Sequence, residues 1–245
     1  MTGSAPAVPD ALRSPASRTA HRRAVVGLVI ALSVAGFLTV AVATGSHMLD
    51  GFDTAITDFT RGWADPLGWP VDVTLVIGRV TAPFWSGLVV AVLVIVLFGY
   101  RYRAAAALLA MSGIAGGIVS TTVKQMMART RPPGAEQFQQ DLDKSFPSGH
   151  AMESIYLYVA TGLVLIQLGR THERRWIEVV GWILVIIGPC IGLTRVVLGV
   201  HWPSDVIAGW AFGSAVLLTS ALILWWPLDR GWTARDVSPN PAAPT

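Results

Sequence analysis

Six long apolar runs, separated by polar segments, set the pattern of the chain. They cover about Ala24 to Thr44, Pro83 to Tyr100, Ala104 to Met127, His150 to Leu168, Trp176 to Leu198 and Pro203 to Trp226. A helix crossing ~30 Å of hydrocarbon takes roughly 17–25 apolar residues, and each run falls in that range. No strand-like alternation of similar length competes with them. The pattern predicts an all-α polytopic membrane protein, a six-transmembrane-helix bundle over residues 24–226. Residues 1–23, rich in Ala, Ser, Pro and Arg, read as a disordered tail, and the Pro-rich residues 227–245 as a mobile one. Ala41-Val42-Ala43 resembles a signal-peptide cleavage site. The run before it is longer than a usual signal core and follows a long tail, so it is expected to be retained as a helix.

Residues 45–80 carry Asp50, Asp53, Asp58, Asp65 and Asp72 and read as a loop. Phe52, Ile56 and Phe59 recur there at helical spacing and suggest a short interfacial helix within it. In the third run Ser112, Gly113, Gly116 and Gly117 suit close helix packing. Tryptophans near run ends, including Trp63, Trp69, Trp85, Trp176, Trp202, Trp225 and Trp226, read as an aromatic belt at the bilayer surface.

Composition strengthens the membrane reading. Of 245 residues, 53 % are hydrophobic and 13 % charged, about half the roughly 25 % charge of a soluble domain. A cytosolic globular enzyme, a disordered chain and a coiled coil are excluded. The formal charge of +3 is spread over loops, so nucleic acid is not an expected partner. The single cysteine, Cys190, excludes an intramolecular disulfide. With an inside N-terminus, eleven of the 18 basic residues fall on inner segments. That bias predicts a cell-membrane protein with both termini in the cytoplasm.

Three polar stretches interrupt the pattern, all at outer helix ends. In Lys124-Gln-Met-Met-Ala-Arg-Thr-Arg131-Pro132, two cations lie seven residues apart. On a continuous helix they share a face, and Pro132 then ends the element. Snorkelling boundary cations are the simpler explanation of this stretch alone. In Ser145-Phe-Pro-Ser148-Gly149-His150, the start of a helix offers unpaired N–H groups to an anion. A plain N-cap would account for Ser148 but not for His150. In Thr194-Arg195…His201-Trp-Pro203-Ser-Asp205, the aspartate lies four residues after the histidine and can accept its ring N–H, fixing the tautomer. Arg195 at bilayer depth costs ~2.5–3.5 kcal/mol on insertion scales, which calls for a partner or a ligand. Together the cations and N–H groups suit phosphate. Two histidines suit a nucleophile and an acid. Glu153, one turn below His150, either tunes it or is a structural glutamate. His47 and His172 read as solvated loop residues.

The set K-x6-R-P, P-S-G-H and R-x5-H-x3-D, in this order, resembles the signature of the type 2 phosphatidic acid phosphatase family. The motifs span residues 124–205, and the helix layout extends the likeness over about 24–226. One position departs: Thr194 stands where the family usually has serine. The resemblance implies that His201 attacks phosphorus to form a phosphohistidine, supported by Asp205. It implies that His150 protonates the leaving group and then activates water. Lys124, Arg131, Ser148, Gly149 and Arg195 would bind the phosphoryl oxygens. No metal or other cofactor is needed. The expected substrate is a lipid phosphate or pyrophosphate whose tails stay in the bilayer, met at the extracytoplasmic face. Polyprenyl pyrophosphate, phosphatidic acid and phosphatidylglycerophosphate all qualify. A phosphotransferase using the same intermediate, and an anion or lipid transporter, are the alternatives.

Overall fold

The computed structural model describes residues 15–229 apart from 139, 141 and 143. Among the described residues nine α-helices follow one another, with one π-helical break: α1 Pro15–Ala43, α2 His47–Leu67, α3 Trp69–Val80, α4 Pro83–Gly99, α5 Arg103–Met127, α6 Gly149–Glu153, a π-helical segment Ser154–Val159, α7 Ala160–Thr171, α8 Arg175–Val197 and α9 Pro203–Asp229. Helix α1 begins nine residues before the first apolar run, so residues 15–23 are helical where the composition predicts a disordered tail. Residues 1–14 and 230–245 lie outside the described residues.

Five helical stretches are long and apolar enough to cross a bilayer: Thr19–Ala43, Arg103–Met127, Gly149–Thr171, Arg175–Val197 and Pro203–Leu224. The expected second span differs. Helix α4 has 17 residues, only about 26 Å of rise. It reaches spanning length together with α3, from which it bends by 47°. The chain is a multi-pass helical membrane protein, with five candidate spans and this bent pair among the described residues.

The spans are unequally covered by protein. The apolar window of Gly149–Thr171 is 61 % buried and that of Pro203–Leu224 is 50 % buried, against 17 % for the first span. The rod of α6, the π-turn and α7 therefore forms the centre with α9. Helices α1, α5 and α8 pack around it, and α4 lies on α5. Ile30, Phe37, Val89, Ile95 and Ile186 point outward from this outer layer, as lipid-facing side chains do.

Small residues bring the central helices together. A Cβ on Gly209 would lie 2.7 Å from the Ser148 carbonyl, and one on Gly213 2.5 Å from that of Met152. Only glycine lets α9 approach α6 this closely. Of the small residues singled out in α5, Ser112 is buried and Gly116 faces the Tyr156 ring, whereas nothing lies within 4 Å of a Cβ on Gly117.

The segment expected to be mostly loop is two helices, α2 and α3, joined at Gly68, which has φ +70°. The aromatic positions of α2 do form a face. Phe52 and Phe59 are exposed, while Asp53 and Thr57, on the opposite side, are buried against the bundle. The inward side also carries Leu49, Ile56 and Ala64, while Asp50, Asp58 and Asp65 are exposed. At the other end of the molecule His172 is exposed, as expected, and meets the Tyr102 hydroxyl at 2.5 Å.

Candidate active site

Four helix ends meet at one end of the bundle: the C-terminus of α5, the N-terminus of α6, the C-terminus of α8 and the N-terminus of α9. Helix α5 stops at Met127, and Ala128 takes a left-handed conformation. Arg131 is therefore not on a helix with Lys124, which corrects the shared-face reading. The two cations converge because the chain turns back on itself. The Arg131 N–H donates to the Leu142 carbonyl, and the Ser145 N–H to that of Arg129. Phe146, fully buried with Leu38 and Ala208, pins this strap to α1 and α9. Lys124 Nζ and Arg131 Nη2 then both donate to the Lys144 carbonyl, at 3.1 and 3.3 Å.

His201 sits on the turn between α8 and α9, 4 % exposed. Its Nε2 is 3.1 Å from Arg131 Nη1. Its Nδ1 lies 3.5 Å from Asp205 Oδ2, long for a hydrogen bond but of a kind that shortens when substrate completes a site. The two ring nitrogens thus face different chemistry, one a cation and the other a carboxylate. Burial lowers the His201 pKa to about 3; Lys124 and Arg131 push the same way and Asp205 opposes them. The ring is neutral at physiological pH and would take a proton only in strong acid.

Asp205 is fully buried in the first turn of α9. Its Oδ2 accepts the Ser145 hydroxyl and the Trp202 N–H. The second contact caps the helix start. Its Oδ1 accepts from Arg129 at 2.7 Å.

Arg195, 3 % exposed, reaches across the bundle to α3, where Nη2 donates to the Thr74 carbonyl at 3.0 Å. Its guanidinium lies against Gly78: a Cβ there would stand 2.3 Å from Nη1. The Gly78 carbonyl is also 3.3 Å from His150 Nε2. A carbonyl only accepts, so His150 carries its proton on Nε2. Arg195, Lys124 and Arg131 are all within electrostatic reach of this ring. Gly149 borders Lys124, whose Cε would be 3.5 Å from an added Cβ.

Each candidate residue of the three motifs is thus in one cluster. Ser148 differs in detail, because its hydroxyl accepts from the Ala151 N–H as an N-cap and its N–H donates to the Asp205 carbonyl. The Thr194 hydroxyl bonds the Ile191 carbonyl within α8. Glu153 is buried beside the Ser86 hydroxyl, the structural of its two expected roles. The Trp202 indole N–H donates to the Thr130 carbonyl, and its ring lies under Arg129. Among the described residues no three His, Cys, Asp or Glu are grouped to hold a metal ion.

Sequence reading missed Arg129, Asp53, Ser145 and Gly78. Arg129 sits in the first motif and was readable only as one more outer cation. Ser145 opens the second motif without a role of its own there, and no local signal marks Asp53 or Gly78. For Gly78 the consequence is testable. Gly78→Ala should displace the Arg195 guanidinium and lower kcat/KM by roughly ten- to a hundredfold, the value of a charge-assisted hydrogen bond. Thermal stability should hold or fall slightly, because the helix gain of alanine, ~0.5–1 kcal/mol, is offset by the disturbed contact of Arg195 with the Thr74 carbonyl. Unchanged kcat/KM toward a lipid phosphate would show that Arg195 shifts without consequence.

Residues 102–229, just over half of the chain, match the PAP2 superfamily. An undecaprenyl-diphosphatase of Sulfolobus acidocaldarius is 32 % identical over 139 residues, 55 % of this chain and 62 % of that protein. A lipid A 1-phosphatase of Rhizobium johnstonii is 28 % identical over 44 % of this chain and 43 % of its own. The chain thus spans less than two thirds of the length of these two relatives. Phosphatidylglycerophosphatase B of Bacillus subtilis is 25 % identical over 72 % of this chain and 85 % of its own. In fold, the chain is similar to the crystal structure of a transmembrane PAP2 type phosphatidylglycerolphosphate phosphatase from Bacillus subtilis. That likeness has a TM-score of 0.66 at 21 % identity and covers 79 % of this chain and 94 % of the other.

Proposed function

The chain belongs to the PAP2 superfamily, and we propose that it is a membrane lipid phosphatase working through a phosphohistidine on His201. The observation that carries this reading is the split environment of His201, with Nε2 toward Arg131 and Nδ1 toward Asp205. A neutral ring with its proton on Nδ1 presents the Nε2 lone pair where Arg131, Lys124 and Arg195 would hold a phosphoryl group.

Nε2 attacks phosphorus, and the bond from phosphorus to the lipid oxygen breaks. His150, protonated on both ring nitrogens beside the anionic phosphoryl group, passes its Nε2 proton to that oxygen and is left neutral, and Asp205 supports the positive charge that develops on His201. The now neutral His150 takes a proton from water, whose oxygen attacks the phosphohistidine, and phosphate leaves. None of these steps calls for a metal. Polyprenyl pyrophosphate, phosphatidic acid and phosphatidylglycerophosphate share the group these residues read. The names of the relatives span that same class. Purified protein in detergent with a chelator should release phosphate from at least one member of a panel of these lipids. No release from any of them would overturn the reading.

The site would face the extracytoplasmic side, as the arginine bias favours. Cysteine placed at Gln140, which is exposed, in a Cys190→Ser background should react with an impermeant thiol reagent on intact cells. Labelling only after permeabilisation would reverse the orientation.

A further inference from the structure

The helix that bears aromatic residues on its outer face turns a carboxylate inward. Asp53 on α2 is 1 % exposed. Its Oδ1 accepts the Ser204 N–H at 2.8 Å, and its Oδ2 accepts the Ser204 hydroxyl at 2.5 Å and Arg129 Nη2 at 2.7 Å. Ser204 is the second residue of α9, whose N–H has no partner within the helix. Asp53 therefore caps α9 from a helix 151 residues away in sequence. Arg129 closes the same loop, since its Nη1 donates to Asp205 Oδ1 and to the Ser204 hydroxyl, both at 2.7 Å. Burial disfavours the charge on Arg129, but Asp205 and Asp53 outweigh it and raise its pKa above the ordinary value.

We infer that Asp53 and Arg129 are positioning residues for the reaction, aligning Asp205 and balancing its charge so that it supports His201. The inference rests on the proposed role of His201 as nucleophile. Charges alternate along the row: Asp53 negative, Arg129 positive, Asp205 negative, and then the ring that becomes positive as phosphorus is attacked. Arg129 alone would spend part of the Asp205 charge and weaken its hold on the developing imidazolium. Asp53 offsets that pull. Asp53 and Arg129 bond Ser204, Asp205 and each other, on the side of Asp205 that backs His201, so their loss should act more on the chemical step than on binding.

The test uses the full-length protein in detergent with a short-chain phosphatidic acid or whichever panel lipid it hydrolyses. Asp53→Asn keeps the acceptor oxygen but leaves the Arg129 charge unbalanced. It should lower kcat by roughly tenfold or more, with KM within about threefold. Arg129→Gln leaves two buried carboxylates facing each other and should lower kcat further. Arg129→Lys, a point charge that cannot bridge both carboxylates, should fall between wild type and Arg129→Gln. The double variant Asp53→Asn/Arg129→Gln removes the repulsion and should turn over at least about fivefold faster than Arg129→Gln alone.

A purely structural role predicts lower thermal stability with the kcat of the folded protein unchanged. Additive losses, or unchanged kcat in folded variants, would overturn the inference. If Arg129→Gln does not fold, Asp53→Asn decides alone: a fall in kcat at constant KM supports the inference, and an unchanged kcat overturns it. Trapping of labelled phosphate separates this from the function itself. Wild-type protein without label on His201 would defeat the proposed mechanism. Label on wild-type His201 with unaltered kinetics in Asp53→Asn would defeat only the positioning role.

Discussion

His201→Ala should abolish turnover and, with it, the covalent intermediate. The loss expected is on the order of 10⁴-fold or more, the scale reached when a covalent nucleophile is removed. Protein incubated with substrate labelled at phosphorus and quenched in alkaline detergent should carry an acid-labile, base-stable phosphate in the wild type and none in the variant. The geometry sets this expectation. Nδ1 faces Asp205, so Nε2 is the nitrogen turned to meet phosphorus beside Arg131. The depressed His201 pKa, about 3, adds a sign. Because burial disfavours the protonated ring, the nucleophile stays neutral as pH falls through the usual histidine range. Loss of activity between about pH 7 and 5 should therefore come from the substrate or other groups. Phosphate label that persists in His201→Ala would move the nucleophile elsewhere, His150 first.

His150→Ala should be severe or mild according to the leaving group. A lipid alkoxide leaves poorly without a proton, and the loss of a general acid costs roughly 10²–10⁴-fold. A nitrophenolate needs little protonation, so nitrophenyl phosphate should be hydrolysed with a much smaller deficit in the bond-breaking step. The structure parks the His150 N–H on the Gly78 carbonyl, a neutral acceptor at 3.3 Å. That contact is weak enough to be exchanged for the departing oxygen. Equal deficits toward both substrates would show that His150 binds phosphate or holds the fold and does not act as the acid.

Much of the fold is legible in the chain. The third, fifth and sixth apolar runs match α5, α8 and α9 to within a few residues, because a bilayer demands an unbroken apolar stretch and helical hydrogen bonds are local. The second run did not reach spanning length alone, since α4 lacks the residues that α3 supplies beyond a bend. The residues 45–80 were obscure for a related reason. Helix α2 mixes the two kinds of residue on both sides, with Phe52, Phe59 and three aspartates outward and Asp53 inward beside Ile56 and Ala64. A membrane surface accepts the outward aromatics, and the protein takes the inward carboxylate.

By itself the sequence determined the membrane class, the main helices and the residue types able to handle phosphate, because these follow from composition, period and short-range motifs. Only the tertiary structure decided how those residues meet. Lys124 and Arg131 come together through a strap that folds back over Lys144, not along a helix. Arg129 reaches Asp205 across 76 residues, and Ser204 reaches Asp53 across 151. Such pairings depend on which helix ends are brought to one place and then deprived of water. In that setting a buried carboxylate must find a donor or a cation. The demand is strong, but it does not name the partner until the helices have packed.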